Sequence, residues 1–277
     1  MRRVRFQTGD GAIHDGVVAT RDGRPCVEST EGVRAFVADE RTLALEGPAV
    51  LMRPIDPPEV WCAGVTYERS RDARIEESGS DVYALVYDAD RPELFLKDAQ
   101  CRRTVGPNEP VAIRSDSTWN VPEPEIGVVL GDELEIVGYT IGNDVSSRDI
   151  EGANPLYLPQ AKVFAGACAL GPAVYVPDDW DAPLSIELTI RDAGDAVVFE
   201  GSTSTARMRR TFPDLVSWLV RDNPVPAGSV LLTGTGLVPT DDFTLLPGHV
   251  VEIHVPGIGT LTNPVVVATD LLGRSHR

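Results

Sequence analysis

The chain has 277 residues, 42% of them hydrophobic, and sets 42 acidic against 25 basic side chains for a net charge of −17. A field of that sign repels polyanions, so nucleic acid is excluded as a partner, and a small anionic ligand would need a local cation or metal to hold it. The length allows a sizeable core in one large domain or in one large and one small domain, and no window of about 18 apolar residues marks a membrane span.

Residues 1 to about 50 read as short strands with turns at Thr8 to Gly11 and Arg21 to Arg24, followed by a brief helical stretch. This is expected to be a small β-rich N-terminal domain, residues 1–55. The opening MRRVRFQTGDGAI lacks the apolar core of a signal peptide, so a cytoplasmic protein is expected. Pro54, Pro57 and Pro58 form a stiff connection, since proline fixes φ and removes a backbone donor, and the apolar run Val60 to Val65 opens the second domain, 56–277. A helix is expected from Arg69 to Glu77, then a loop around Gly79 and Asp81 placed to act as a lid.

Beyond residue 92 strand-like runs dominate: Glu93 to Leu96, Val111 to Arg114, Ile126 to Leu130, Ile136 to Ile141, Leu184 to Arg191, Val230 to Thr233 and Val250 to Val255. The best helix is Phe212 to Val220, with Leu215, Trp218 and Leu219 at helical spacing and Pro213 and Asp214 suited to its first turn. The fold class is therefore α+β, mostly β.

Within this β-rich half, PEPEIGVVLG carries Glu123 and Glu125, GYTIGNDVSSRD carries Asp144, and LPQAKVF carries Lys162. In an extended segment residues two apart project to one face, so Glu123 and Glu125 can reach one ion, and strand pairing can add Asp144. Three hard oxygen ligands favour Mg²⁺, Mn²⁺ or Ca²⁺ over zinc. Lys97 and Lys162 are the only lysines in a basic complement otherwise made of arginine. A compact ammonium with a readily shifted pKa suits proton chemistry beside a metal.

Cys26, Cys62, Cys101 and Cys168 are scattered, without zinc-site or disulfide spacing, and are expected to be reduced. The histidines, His14, His249, His254 and His276, leave the middle of the chain without one, and no G-x-S-x-G elbow is present, which argues against a serine hydrolase. LLTGTGLVP lacks the Lys-Ser/Thr of a P-loop. Gly234, Thr235 and Gly236 are instead expected to offer N–H groups and a hydroxyl to a small carboxylate.

EPEIGVVLG, GYTIGNDVSSRDIE, LPQAKVFAGACALGP, LLTGTG and PGIGTLTNPV, in this order, resemble the fumarylacetoacetate hydrolase family over roughly residues 58 to 270. The resemblance implies a mixed β-roll catalytic domain, a divalent metal, usually Mg²⁺, on residues matching Glu123, Glu125 and Asp144, an active-site lysine matching Lys162, and a homodimer or homotetramer. The chain departs from the hydrolases where the family's GLNYxxHxxE segment reads GVTYERSRDA, so that Ser70 and Ala73 replace the His-Glu pair that activates water. GVTYERSRDARIEES, RPELFLKDAQ, RSDSTWNVPEPE and DIEGANPLYLPQAK resemble instead the 2-keto-3-deoxy-pentonate dehydratase branch. That branch implies removal of the C3 proton from a 2-oxo acid, loss of the C4 hydroxyl and formation of 2,5-dioxopentanoate. Lys162 is then expected to move the proton, with Glu93 as partner acid or base and Ser70, Arg74, Arg148 and Thr235 as holders of the substrate's carboxylate and hydroxyls. The alternative is another reaction of the same scaffold on a 2-oxo acid: hydrolysis of a C–C bond, isomerisation or a pyruvate-forming aldol cleavage.

Overall fold

A computed structural model of the chain describes residues 1–68 and 86–272. The helix and lid expected between Arg69 and Asp81, with Ser70 and Arg74, lie outside the described residues. Among those described, the chain is mostly β, as its alternating patterns demand, and no helix is long and apolar enough to cross a membrane.

The N-terminal segment forms antiparallel strands at Arg2–Gln7, Ile13–Arg21, Arg24–Ser29 and Arg34–Asp39. The Arg21 to Arg24 turn is tight because Asp22 and Gly23 both take positive φ, 54° and 73°, the backbone of a two-residue hairpin. The brief helical stretch expected to follow these strands is not formed. The Asp39 carboxylate accepts hydrogen bonds from Arg41 N and Thr42 Oγ1, and Leu43 turns into the left-handed region at φ 57°. An acidic side chain binding the backbone two residues on thus outcompetes helix propagation.

These strands are continuous with the large sheet, because Arg2–Gln7 pairs with Cys168–Tyr175. From there the sheet runs through Ile136–Asp144, Pro124–Leu130, Val230–Leu232 and Glu59–Gly64 to an edge strand, Glu93–Ala99. A second sheet contains Val111–Ile113, Gly259–Val267, Val250–Val255, Ser185–Arg191 and Val197–Ser204.

Both faces of the central strands are covered, which explains the unbroken apolar run IGVVL. Ile126, Val128, Leu130 and Ile141 share one core with Leu188, Ile190, Ile253 and Leu261 of the second sheet. Val129 points the other way, into a smaller cluster with Cys62, Cys168, Leu170 and Leu232. By the two-residue period Glu125 lies on that second face, and the register Glu125↔Gly142 and Asp144↔Cys168 puts Asp144 there too. The acids therefore stand at the end of a packed apolar face. The short helices Arg148–Ala153 and Leu158–Lys162 complete this end of the sheet, and Phe212–Leu219 is the expected amphipathic helix, its N-terminus capped by the Thr211 side chain. All four cysteines are free.

Candidate metal centre and active site

Strand pairing gathers the three acids, as expected. Pro124 pairs with Asn143, Asp144 N donates to Glu123 O at 3.0 Å, and carboxylate oxygens of Glu123, Glu125 and Asp144 all lie within 4.8 Å of one another. None of the three is more than 3% exposed. Buried carboxylates this close repel one another, so the fold must hold them with donors or a cation.

The donors are specific to each acid. Glu123 Oε1 accepts from an Arg148 guanidinium nitrogen at 2.7 Å and its Oε2 from Lys162 Nζ at 2.5 Å. Lys162 also reaches Ser146 Oγ at 2.5 Å and lies 3.4 Å from Asp144 Oδ2. Asp144 Oδ1 forms an ion pair with Lys97, whose ammonium also donates to the backbone carbonyls of Val145, at 3.1 Å, and of Lys162. Glu125 receives a neutral donor, Gly234 N at 2.6 Å. Burial first, then the charges of Asp144 and Glu123, push the Glu125 carboxyl well above the usual carboxylate range.

The glycine loop thus binds a carboxylate, but the protein's own. Gly234 sits at φ +90°, and a Cβ there would meet Thr66 Oγ1 at 2.1 Å, so glycine is required for the close approach. Thr235 lines the site, although its hydroxyl is engaged within its own loop, donating to Leu237 O at 3.0 Å.

Glu93 and Phe95 also line this cavity, together with Gly64, Glu151, Leu158 and Lys162. Glu93 pairs with Gly64 across the strand ends, and a Cβ at 64 would stand 2.0 Å from Glu93 Oε2. The glycine therefore lets that carboxylate lie over the sheet and face the acids. Next in the chain, Val65 holds φ at +52°, costly for a β-branched residue and found where a site dictates the backbone. Arg148 is buried behind Glu123 and is not among the described residues lining the cavity. The neighbouring carboxylate of Asp149 is taken by Ser117 and Thr118.

The cavity is small, about 20 Å³, room for one ion or water. A larger hollow of about 520 Å³ lies at the N-terminal strands, where Arg5 and Arg53 are closed in pairs with Asp15 and Asp56 and no metal donor set is assembled. Among the described residues the buried triad is the one such cluster, and its hard oxygen donors fit Mg²⁺. Two partners escaped sequence reasoning. Lys97 was visible as a lysine kept in an arginine-rich chain, and it stands at the bulge of the strand that also carries Glu93. Ser146 carried no signal beyond its place two residues after Asp144.

A buried acid triad with an ammonium beside it, on a mixed β-sheet, defines a divalent-metal enzyme. Residues 59–266 match the model of the fumarylacetoacetate (FAA) hydrolase C-terminal domain, and the chain belongs to that family. It is 48% identical over 221 residues to 2-dehydro-3-deoxy-D-arabinonate dehydratase of Saccharolobus solfataricus, covering 78% of this chain and 74% of that one. It is 53% identical over 215 residues to a probable 2-keto-3-deoxyxylonate dehydratase of Haloferax volcanii, covering 76% and 73%. Among solved structures, 2-keto-3-deoxy-D-arabinonate dehydratase complexed with magnesium and 2,5-dioxopentanoate superposes with a TM-score of 0.80 at 38% identity, over 96% of this chain and 98% of that one.

Proposed function

We propose that the chain is a Mg²⁺-dependent hydro-lyase that converts a 2-keto-3-deoxy-pentonate to 2,5-dioxopentanoate. The observation that carries this reading is the placing of Lys162 and Glu93 on the walls of one cavity floored by Glu123, Glu125 and Asp144. The dehydratase relatives support the same reaction.

Glu123, Glu125 and Asp144 would hold Mg²⁺, which when bound supplies Lewis-acid polarisation of the substrate's 2-keto group. Lys162 stands at the carboxylates, where its Nζ, reacting as the neutral amine, takes the proton from C3 and becomes the ammonium. Glu93, which lines the same cavity, delivers a proton to the C4 hydroxyl, directly or through a water, so that it leaves as water. One proton and one hydroxide are lost and the C3–C4 bond becomes double; movement of a hydrogen from C5 to C3 then gives the C4–C5 enol, whose hydroxyl proton is exchanged for one at C4 to give the aldehyde. Glu123 and Ser146 orient the lysine between proton transfers. Thr235, with Ser70 and Arg74, completes the set assigned to hold the substrate, and Arg148 supports that set from behind by holding Glu123. The same reading has the chain acting in the cytoplasm as a dimer or tetramer, an assembly that exposed Leu156, Trp180 and Leu246 would favour.

The test is a Mg²⁺-dependent assay of purified protein on 2-keto-3-deoxy-pentonates, with and without EDTA, following 2,5-dioxopentanoate. Metal-dependent formation of that product is expected. Pyruvate with glycolaldehyde would make the protein an aldolase, and absence of turnover with every epimer would remove pentonates as the substrate class.

A further inference from the structure

Lys97 has no place in the chemistry above, yet it is among the most buried charged side chains of the molecule, 1% exposed. Placing an ammonium there is costly unless each of its donors is met. Hydrogen bonds to Val145 O and Lys162 O and an ion pair with Asp144 Oδ1 meet it. It is absent from the described lining of the cavity, whereas Lys162 is present. The two lysines thus stand on different sides of Asp144, one facing the reaction and one behind it.

What Lys97 joins matters. Leu158–Lys162 is a helix of five residues, too short to be stable by itself, and the carbonyl at its C-terminus lacks an intrahelical partner. Lys97 supplies that partner on the very residue whose side chain is to move the proton. The same ammonium holds the carboxylate at the end of strand Ile136–Asp144. It is itself held in a paired strand, Glu93–Ala99, which also carries Glu93.

We propose that Lys97 is a positioning residue: from behind the site it fixes the Asp144 carboxylate and the Lys162 backbone relative to each other, and so sets the distance between metal and catalytic ammonium. This rests on the proposed function only in its kinetic arm. Replacement by the similarly sized Lys97→Met removes the clamp. The folded variant, checked by circular dichroism, is expected to bind Mg²⁺ about 10–100-fold more weakly in calorimetry, the usual loss for an outer partner of a metal ligand. At saturating Mg²⁺ its kcat should stay down by about 100-fold with KM little changed, the effect of a misplaced reacting group. Full recovery of kcat at saturating Mg²⁺ would overturn the positioning of Lys162, and unchanged Mg²⁺ affinity would overturn that of Asp144.

A second measurement needs no Lys97 variant. With only two lysines in the chain, ¹⁵Nζ-lysine labelling yields two ammonium signals, assigned with Lys162→Met. The Lys97 signal is expected to persist, slowly exchanging with water, in metal-free and Mg²⁺-loaded protein alike, while that of Lys162 moves when Mg²⁺ is added. Loss of the Lys97 signal, or a shift as large as that of Lys162, would overturn the proposal. Wild-type protein that binds Mg²⁺ but turns over no pentonate would sink the functional reading while leaving the calorimetric and spectroscopic results on Lys97 decisive.

Discussion

The same large sheet carries arginine–carboxylate pairs at its N-terminal strands and ammonium–carboxylate pairs at its other end, and the two populations behave oppositely. In the first, Arg34 meets Glu28 at 2.5 Å and Arg24 meets Glu46 at 2.5 Å, with the second pair about half exposed on both sides. In the second, three acids face Lys97, Lys162 and Arg148, all buried. The three acids of the triad are matched by three cations, and Glu93 and Glu151 add two further carboxylates to the same cavity. Water relaxes the first group and makes each pair nearly dispensable, while its exclusion makes every member of the second consequential.

The largest effect expected from this contrast is on Lys162. Lys162→Met should retain Mg²⁺ binding in calorimetry and lose about 10²–10⁴-fold in kcat, the range for a removed proton-transfer group. Full activity would end its assignment as the proton carrier. Glu93→Gln should cost about 10²-fold in kcat, at the low end of the same range, and leave Mg²⁺ affinity unchanged, because this carboxylate lines the cavity but stands outside the clustered triad. A fall in metal affinity instead would make Glu93 a metal ligand.

Glu125 sharpens the comparison in a different way. Its carboxyl is raised in the folded, metal-free protein above the value it has unfolded, by burial and by the adjacent acids. The stability it contributes is therefore full below the ordinary carboxylate range and is lost as pH rises towards the folded value. Mg²⁺ favours the ionised form and reverses that loss, so the gap in melting temperature with and without Mg²⁺ should widen as pH rises from about 4.5 upward. Glu125→Gln should abolish this widening and weaken Mg²⁺ binding, while the metal-free protein melts no lower than wild type at neutral pH. A gap independent of pH would mean that the other charges already keep Glu125 ionised.

Much of this site was legible because its signals are local. Glu123 and Glu125 are two residues apart on a strand, and the strand marks its own course by an apolar run. Asp144 followed from the next strand-like segment, which does pair with it. Less was legible where alanine, glycine and proline displace β-branched residues: Cys168–Tyr175, reading CALGPAVY, has a weak strand signal, yet it pairs with Asp144 on one side and accepts Arg2 and Arg3 on the other. That pairing joins residues far apart in sequence and is fixed by tertiary packing. The task of Lys97 was hidden likewise, since two of its three acceptors are backbone carbonyls, which no side-chain pattern announces. Arg148 was hidden in the same way: its guanidinium donates to Glu123, 25 residues away in sequence, a contact that no local pattern announces.

The smallest expected effect belongs to the exposed end of the comparison. Glu46→Ala removes the partner of Arg24, whose guanidinium also lies over the Phe36 ring at 4.3 Å from its centre. That stacking survives the substitution and keeps the arginine in place. The lost pair is screened by water and salt, and freeing two side chains returns rotamer entropy, so unfolding free energy should change by less than about 1 kcal/mol and the change should shrink further in high salt. Denaturant titration at low and high ionic strength measures both. With a net charge of −17, removing a carboxylate also relieves long-range repulsion, which can leave the low-salt protein as stable as before. A loss of several kcal/mol would show instead that the surface pairs of the N-terminal strands act as a cooperative network, and the division between dispensable and consequential pairs would have to be redrawn around connectivity rather than burial.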